Sequence, residues 1–339
     1  MNTREIEQFI GSMQKYVNRS EAFLRNLRLK SLIKLDKYSS SLDGITLYEK
    51  PDIEAIEKLL KSDLLEVVKY EDFYHENERH HIEAYHEELK DGIVEVKYNK
   101  HKGMNYGRVY ARKSLGAINF RREIRGTIFS KNYKDIDIVN CHPNIYYQIA
   151  KVLKVKCPVL KRYVENRDQI LEEVQNHYNV SRDTAKELFI RLLYLGGFQS
   201  WAKDHKIKKH ELQFIKEIKY ELFYIGNEIV KNNQELYKSI EIKQRNENTY
   251  KNPYKVKATT ISYYVQEIEC RILEQIYQHC SNNKVIEHGF CSLCYDGIMI
   301  EKDHYHADLL VDFNKLIWEK FGLDLKFEEK PMKSFLQYT

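Results

Sequence analysis

Apolar and acidic residues alternate through "DIDIV" (135–139), which puts Asp135 and Asp137 on one face of a predicted strand and Ile136 and Ile138 on the other. The period then changes. "PNIYYQIAKVL" (143–153) carries apolar residues at helical spacing, and Pro143 suits the first turn of a helix. A strand, a tight turn and a helix follow one another, with Asp137 at the strand end. A carboxylate there is placed to hold a metal ion, and equally placed to cap the helix after it.

Elsewhere the pattern is mostly helical. Residues 1 to about 90 read as short helices, such as "DIEAIEKLLKSDLLEVV", broken by "YSSSLDG" and Pro51. "DGIVEVKYN" (91–99) alternates as a strand and runs into a turn at "KHKGMNYG". From Pro143 to about Asn232 the helical period holds almost throughout. The polar stretch "SIEIKQRNENTYKNPYKVK" (239–257) reads as a surface loop or a strand pair, and "TTISYYVQEIECRILEQIYQHC" as a long amphipathic helix stopped by "SNN" at 281–283. In "CSLCYDGIMIEKD" (291–303), alternating apolar residues flank Asp296-Gly297. Asp-Gly predicts a two-residue hairpin turn with Asp296 at its tip, and a good turn residue would by itself explain that aspartate.

"SRDTAKELFIRLLYLGGF" (181–198) predicts a helix capped by Ser181 and stopped by Gly196-Gly197. Arg182, Lys186, Ile190 and Tyr194 advance only about 40° at each step, so they share one broad face. Two cations, an aliphatic contact and a phenol suit a bound triphosphate, with the ring against a base or sugar.

Composition narrows the class. The 339 residues hold 55 basic and 50 acidic side chains, a net charge of +5 that does not by itself diagnose nucleic-acid binding. Thirteen glycines and five prolines are few for this length, which predicts a helix-rich chain with modest sheet content. Six cysteines make no disulfide framework, "MNTREIEQFIGSMQKYV" has no apolar signal core, and no run approaches the roughly 18 apolar residues of a membrane span. A reducing intracellular compartment is expected. Cys291 and Cys294 have zinc-like spacing, but no matching second Cys/His pair is near and the stretch reads as a strand. Five arginines between positions 108 and 125 (Arg108, Arg112, Arg121, Arg122 and Arg125) either hold a phosphate backbone or form a solvated face. The segment "WAKDHKIKKHELQFIKEIKYELFYIG" (201–226) has the same two readings, as a nucleic-acid grip or as a solvated amphipathic pair.

Taken together the motifs carry a resemblance. "DIDIVNCHP" resembles motif A, the Arg182, Lys186, Tyr194 series motif B and "CYDGIMI" motif C of the family A DNA polymerases and single-subunit phage-type RNA polymerases, in that order. The virus and transposon polymerases of that superfamily are most similar, and "HADLLVDFNKLIWEKFGLDLKFEEKP" resembles the last helix and closing strand of their palm. The likeness spans roughly residues 105–335. It implies an α+β fold: a right-hand palm of antiparallel sheet with helices, helical fingers and a small helical N-terminal region. The expected divisions are 1–95 (N-terminal), 96–150 (palm with motif A), 151–257 (fingers with motif B) and 258–339 (palm with motif C).

The resemblance implies Asp137 and Asp296 as ligands of two Mg²⁺ or Mn²⁺ ions, with Asp135 in reserve. Arg182 and Lys186 would bind the triphosphate, with Lys186 also able to protonate the leaving pyrophosphate. Tyr194 would pack near the nascent pair, His142 would sense the sugar, and Arg121, Arg122, Arg125 and Gln266 would touch nucleic acid. The chain departs from the family in several places: His142 replaces the usual Glu, Tyr295-Asp296 replaces His-Asp, Tyr194-Leu195-Gly196 replaces Tyr-Gly, and Ile190 replaces an aromatic. A bulky His at the gate favours deoxynucleotides.

The expected protein is a template-directed DNA polymerase, viral or from a mobile element, acting in the cytoplasm of a bacterial or phage-infected cell. Its partners would be a DNA template-primer, nucleoside triphosphates and a helicase or other replication factor, with no membrane. No proofreading carboxylate cluster or long thumb-like segment is seen, so a partner would be needed to hold this compact core on its template. Three rival readings stand beside it: a primase or RNA polymerase using ribonucleotides, an inactive relative that only binds nucleic acid, and a helix-rich scaffold with chance motifs.

Overall fold

The computed structural model describes residues 19–66, 74–334 and 336. The chain divides into two compact units, each assembled from separate stretches. The fold is α+β, and each unit is clearest taken alone.

The sheet unit comprises residues 37–141, 266–314 and 326–339. Its first sheet is antiparallel, in the order β1 (Thr46–Glu49), β2 (Val94–Asn99), β3 (Tyr110–Ala111). β2 alternates between buried and exposed residues, so Val94, Val96 and Tyr98 face the core while Glu95 and Lys97 face solvent. The second sheet runs β5 (Cys291–Cys294), β6 (Gly297–Glu301), β4 (Tyr133–Ile138), β7 (Phe327–Lys330), all neighbours antiparallel. The sheets meet where the Tyr48 amide donates to the Gly289 carbonyl at 2.9 Å. Helices α2 (Ile53–Lys61), α3 (Glu78–Glu87) and α4 (Arg122–Phe129) complete the unit's core with Ile56, Leu59, Ile82, Tyr85, Ile124 and Phe129. Glu49 is fully buried there. It accepts from the Tyr85 hydroxyl at 2.6 Å and the Ala117 amide at 3.1 Å, as a buried carboxylate requires.

The helical unit comprises residues 1–36, 142–265 and 315–325. It holds α1 (19–31), α6 (Pro158–Glu165), α7 (Arg167–Tyr178), α8 (Arg182–Leu193), α9 (Phe198–Asp204), α10 (Gln213–Asn232) and α11 (Gln234–Asn246). Most of α5 (Cys141–Val152), the first half of α12 (Pro253–Asn282) and the end of α13 (Asp308–Phe321) belong to it as well. Gly226 of α10 lets α12 come close: a Cβ added there would lie 2.6 Å from Ile261 Cδ1. Trp201 is fully buried, and its indole N–H donates to the Thr184 carbonyl of α8 at 3.0 Å.

The structure corrects several local readings. Residues 239–257 are mostly helical, because α11 runs to Asn246 and α12 starts at Pro253, and only 247–252 between them form the expected loop. The first 90 residues include a strand, β1, beside their helices. The helix after motif A opens at Cys141, which keeps Pro143 in its first turn, as the sequence predicts. α8 ends at Leu193, and it is Leu195, at φ +58°, that takes the left-handed conformation expected of a glycine. Cys291 and Cys294 lie three apart on a strand and so face opposite sides, which removes the zinc reading. The start of the chain, quoted above for its lack of a signal core, lies outside the described residues up to position 18.

Candidate active site

The sheet unit brings the two candidate metal carboxylates onto neighbouring strands. β4 pairs with β6 so that Asp137 stands opposite Gly297, and the Ile138 amide donates to the Asp296 carbonyl at 3.2 Å. The strand end at Asp137 therefore adjoins the hairpin tip. Gly297 is needed for this approach, since a Cβ there would come within 2.3 Å of the Ile136 carbonyl oxygen and 3.1 Å of Asp137 Oδ1.

The turn is one residue earlier than the Asp-Gly pattern predicts. Cys294 pairs with Gly297, so the loop residues are Tyr295 and Asp296. Tyr295 occupies the left-handed region at φ +59°, which is strained for an aromatic residue. Its ring is held from outside: the Arg108 guanidinium lies 4.3 Å from the ring centroid, and Arg108 also pairs with Glu269 at 2.7 Å. Glu269, only 1% exposed on α12, thus anchors the residue that braces the turn.

Asp135 and Asp137 share one face of β4 and are both buried. Burial pushes the Asp135 carboxyl above its ordinary range, against the pull of Arg125, 3.5 Å away, and of Lys330 and Arg122. On the other side, β7 places Glu328 opposite Asp137 and Lys330 opposite Asp135. The Lys330 ammonium pairs with the Asp137 carboxylate, and burial holds its pKa below the ordinary lysine value. Cys141 completes the neighbourhood, its thiol pushed well up by burial and further by Asp296 and Glu269. This end of the sheet gathers hard oxygen donors whose negative charge attracts cations, a donor set that fits Mg²⁺ or Mn²⁺. The Lys330 ammonium already stands where positive charge is favoured.

The motif B residues lie in the helical unit. Ser181 caps α8, its hydroxyl accepting from the Thr184 amide at 3.1 Å. Ala185, Leu188, Phe189 and Leu192 are buried, which leaves Arg182 and Ile190 exposed and Lys186 half-buried on another face. Both cations are paired with highly exposed carboxylates, Arg182 with Asp168 and Lys186 with Asp183 at 2.9 Å. Tyr194, capping the same helix, hydrogen-bonds through its hydroxyl to Nδ1 of His142. The expected base-side ring and sugar sensor therefore touch.

The predicted nucleic-acid contacts are more divided. Arg121 is tied to the buried Glu78 at 2.7 Å and to Glu66 at 3.3 Å, and Arg125 to Asp135. Arg122 is exposed, and Gln266 is half-buried on α12. Sequence reasoning missed Lys330, Glu328 and Glu269. For the first two, the available signal was the "FEEK" strand, whose alternation puts Glu328 and Lys330 on one face.

No family model matches the chain. Helicase V13 of Sputnik virophage, a provisional designation, is 34% identical over 252 residues, which make up 73% of this chain and 31% of the relative. The chain thus spans under a third of the relative's length. Among solved structures, the POL domain of Pol1 from M. smegmatis, in complex with DNA primer-template and dNTP, aligns with a TM-score of 0.45 and 11% identity, covering 75% of this chain and 50% of that one.

Proposed function

We propose that the chain is a template-directed nucleotidyltransferase. One observation carries this reading: Asp137 and Asp296 sit on adjacent antiparallel strands, at a strand end and a hairpin tip, with the close approach secured by Gly297. Phosphoryl transfer with two metal ions needs carboxylates from separate segments converging in this way. Asp137 and Asp296 would hold Mg²⁺ or Mn²⁺, which when bound supplies electrostatic stabilisation of the attacking and leaving oxygens. Lys330 then has to release Asp137.

The reading assigns Arg182 and Lys186 to the triphosphate. Their present partners are exposed carboxylates, weak ion pairs that a phosphate would replace. Lys186 can give a proton to the departing pyrophosphate. Tyr194 and His142, already in contact, form the wall against the nucleoside, with His142 at the sugar. Arg122 and Gln266 remain the proposed nucleic-acid contacts of the sheet unit. Arg121 and Arg125 would first support Glu78 and Asp135. The virophage relative's name places that protein in nucleic-acid unwinding, and a role in replication, beside a helicase or as part of a longer protein, suits this chain.

The test is extension of a labelled primer on a DNA template with Mg²⁺ or Mn²⁺, with deoxynucleotides and ribonucleotides in separate reactions and a lane without primer. Template-dependent extension that disappears in Asp296→Asn supports the proposal. Deoxynucleotide use makes the chain a DNA polymerase, whereas ribonucleotide use without primer makes it a primase or RNA polymerase. If wild type and variant bind DNA equally and neither extends, the chain is a binding module.

A further inference from the structure

α10 buries Phe214, Ile215, Ile218, Leu222, Ile225 and Ile229 on one side and leaves three large aromatic residues in solvent on another. Tyr220 is 63% exposed, Tyr224 45% and Phe223 39%, at spacings that place them on neighbouring positions of one helix surface. The tyrosine rings lie 4.6 Å apart and their hydroxyls 2.7 Å apart. Large aromatic side chains grouped in water are unusual on a solvated helix and mark a surface that something else covers.

The charges around this ladder say what covers it. Tyr220 and Tyr224 form one wall of a groove of about 420 Å³, and the stretch from Leu153 to Lys156 forms the other. Lys154 and Lys156 are exposed there and form no ion pair with any described residue. Lys154 also takes the left-handed conformation, at φ +57°, where glycine would sit without strain. Lys257 of α12 places its ammonium 4.1 Å from the Phe223 ring centroid. Two acids, Glu221 and Glu228, also line the groove, and each has a partner of its own. Glu221 is buried and accepts the Val159 and Leu160 amides at 3.0 and 2.8 Å, Glu228 pairs with Lys231 at 3.4 Å, and Glu217 accepts from Gln213 at 3.0 Å. The groove therefore offers ring faces and uncommitted cations.

We propose that this groove binds single-stranded polynucleotide, with bases stacked on Tyr220 and Tyr224 and phosphates on Lys154 and Lys156. Every base has a face to stack, so the site takes a strand with little regard to sequence. It lies wholly in the helical unit and needs neither Asp137 nor Asp296. It is a second nucleic-acid site whose existence does not depend on the catalytic reading.

The test is fluorescence anisotropy of labelled oligothymidylate and oligouridylate at several salt concentrations without divalent ions. Tyr220→Ala/Tyr224→Ala should weaken binding about tenfold or more while leaving the salt dependence intact. Lys154→Ala/Lys156→Ala should lower the slope of log affinity against log salt by about 1.4, from two phosphate contacts at ~0.7 each. Binding should persist whether or not primer extension is found, because the assay contains no divalent ion. The tighter of the two polymers identifies the strand. Unchanged binding in both paired variants, or competition by free thymidine monophosphate as effective as by the oligomer, would overturn the proposal. All four substituted side chains are exposed, and thermal melting close to wild type confirms that the variants fold.

Discussion

The two groups of candidate residues, one in each unit, hold their charges in opposite ways. In the sheet unit, Asp137 is a buried residue of a four-stranded sheet, pinned between β6 and β7 and already neutralised by Lys330. In the helical unit, Arg182 and Lys186 project from α8 and lean on Asp168 and Asp183, whose side chains are 83% and 89% exposed. Folding alone fixes the carboxylates, because moving them would break strand pairing. The cations are held by pairs worth roughly 0–1 kcal/mol and are free to change partners. A rigid pair of carboxylates and adaptable cations would suit the proposed nucleotidyl transfer, in which the triphosphate is consumed at every turnover.

Substitutions should separate the two behaviours. The largest effect belongs to the rigid side. Asp137→Asn and Asp296→Asn should each lower incorporation by about a hundredfold to a thousandfold with little change in nucleotide KM, measured by single-turnover extension. Residual activity within tenfold of wild type would mean that neither carboxylate works on the reacting atoms.

Gly297→Ala probes the rigidity itself. The added Cβ meets the Ile136 carbonyl, so stability should fall by about 1–3 kcal/mol in urea unfolding, with activity lost alongside it. An unchanged midpoint would show that the strand pair has slack and would weaken the contrast.

On the adaptable side, Arg182→Ala should raise nucleotide KM by about tenfold, the worth of a charge-assisted hydrogen bond, and Lys186→Ala should in addition lower kcat by about a hundredfold through loss of the proton donor, while the melting temperature of both stays near wild type. A large drop in melting temperature would mean that the pairs to Asp168 and Asp183 are structural.

The smallest effect concerns pH. Burial pushes the Glu49 carboxyl above its usual 4.5, opposed by hydrogen bonds from Ser292, Tyr85 and the Ala117 amide. The folded pKa exceeds the unfolded one, so the native state keeps the proton longer. The stability this contributes is complete below pH 4.5 and disappears as pH rises through the folded value. Glu49→Gln should remove that slope, flattening the dependence of the urea midpoint on pH above 4.5. Parallel pH profiles for variant and wild type would rule it out.

What could be read from the sequence was local. The strand ending near Asp137, the Ser181 cap and the hairpin around Asp296 each depend on neighbours a few residues away, and each is present. The turn slipped by one because Gly297 is required for contact with β4, a tertiary demand that Asp-Gly statistics do not contain. Residues 239–246 were misread for a different reason. α11 buries only Leu236 and Ile240 and is laced on its wet side by Arg245–Glu241 at 2.7 Å and Lys243–Glu247 at 2.6 Å, so its composition resembles a loop. Lys330 lies on a strand that the alternation of "FEEK" made legible, but its pairing with Asp137 and the place of Glu269 were not. Both residues join the candidate site through β7 and α12, which reach it only once the chain has folded.

The central claim is that Asp137 and Asp296 hold the same divalent ions. Mn²⁺ binding followed by electron paramagnetic resonance, in wild type, Asp137→Asn and Asp296→Asn, tests it without any assumption about substrate. The account predicts that wild type binds Mn²⁺ and that each single variant weakens binding by about tenfold or more. Mn²⁺ bound equally well by all three proteins would contradict it and return both aspartates to the role of turn residues.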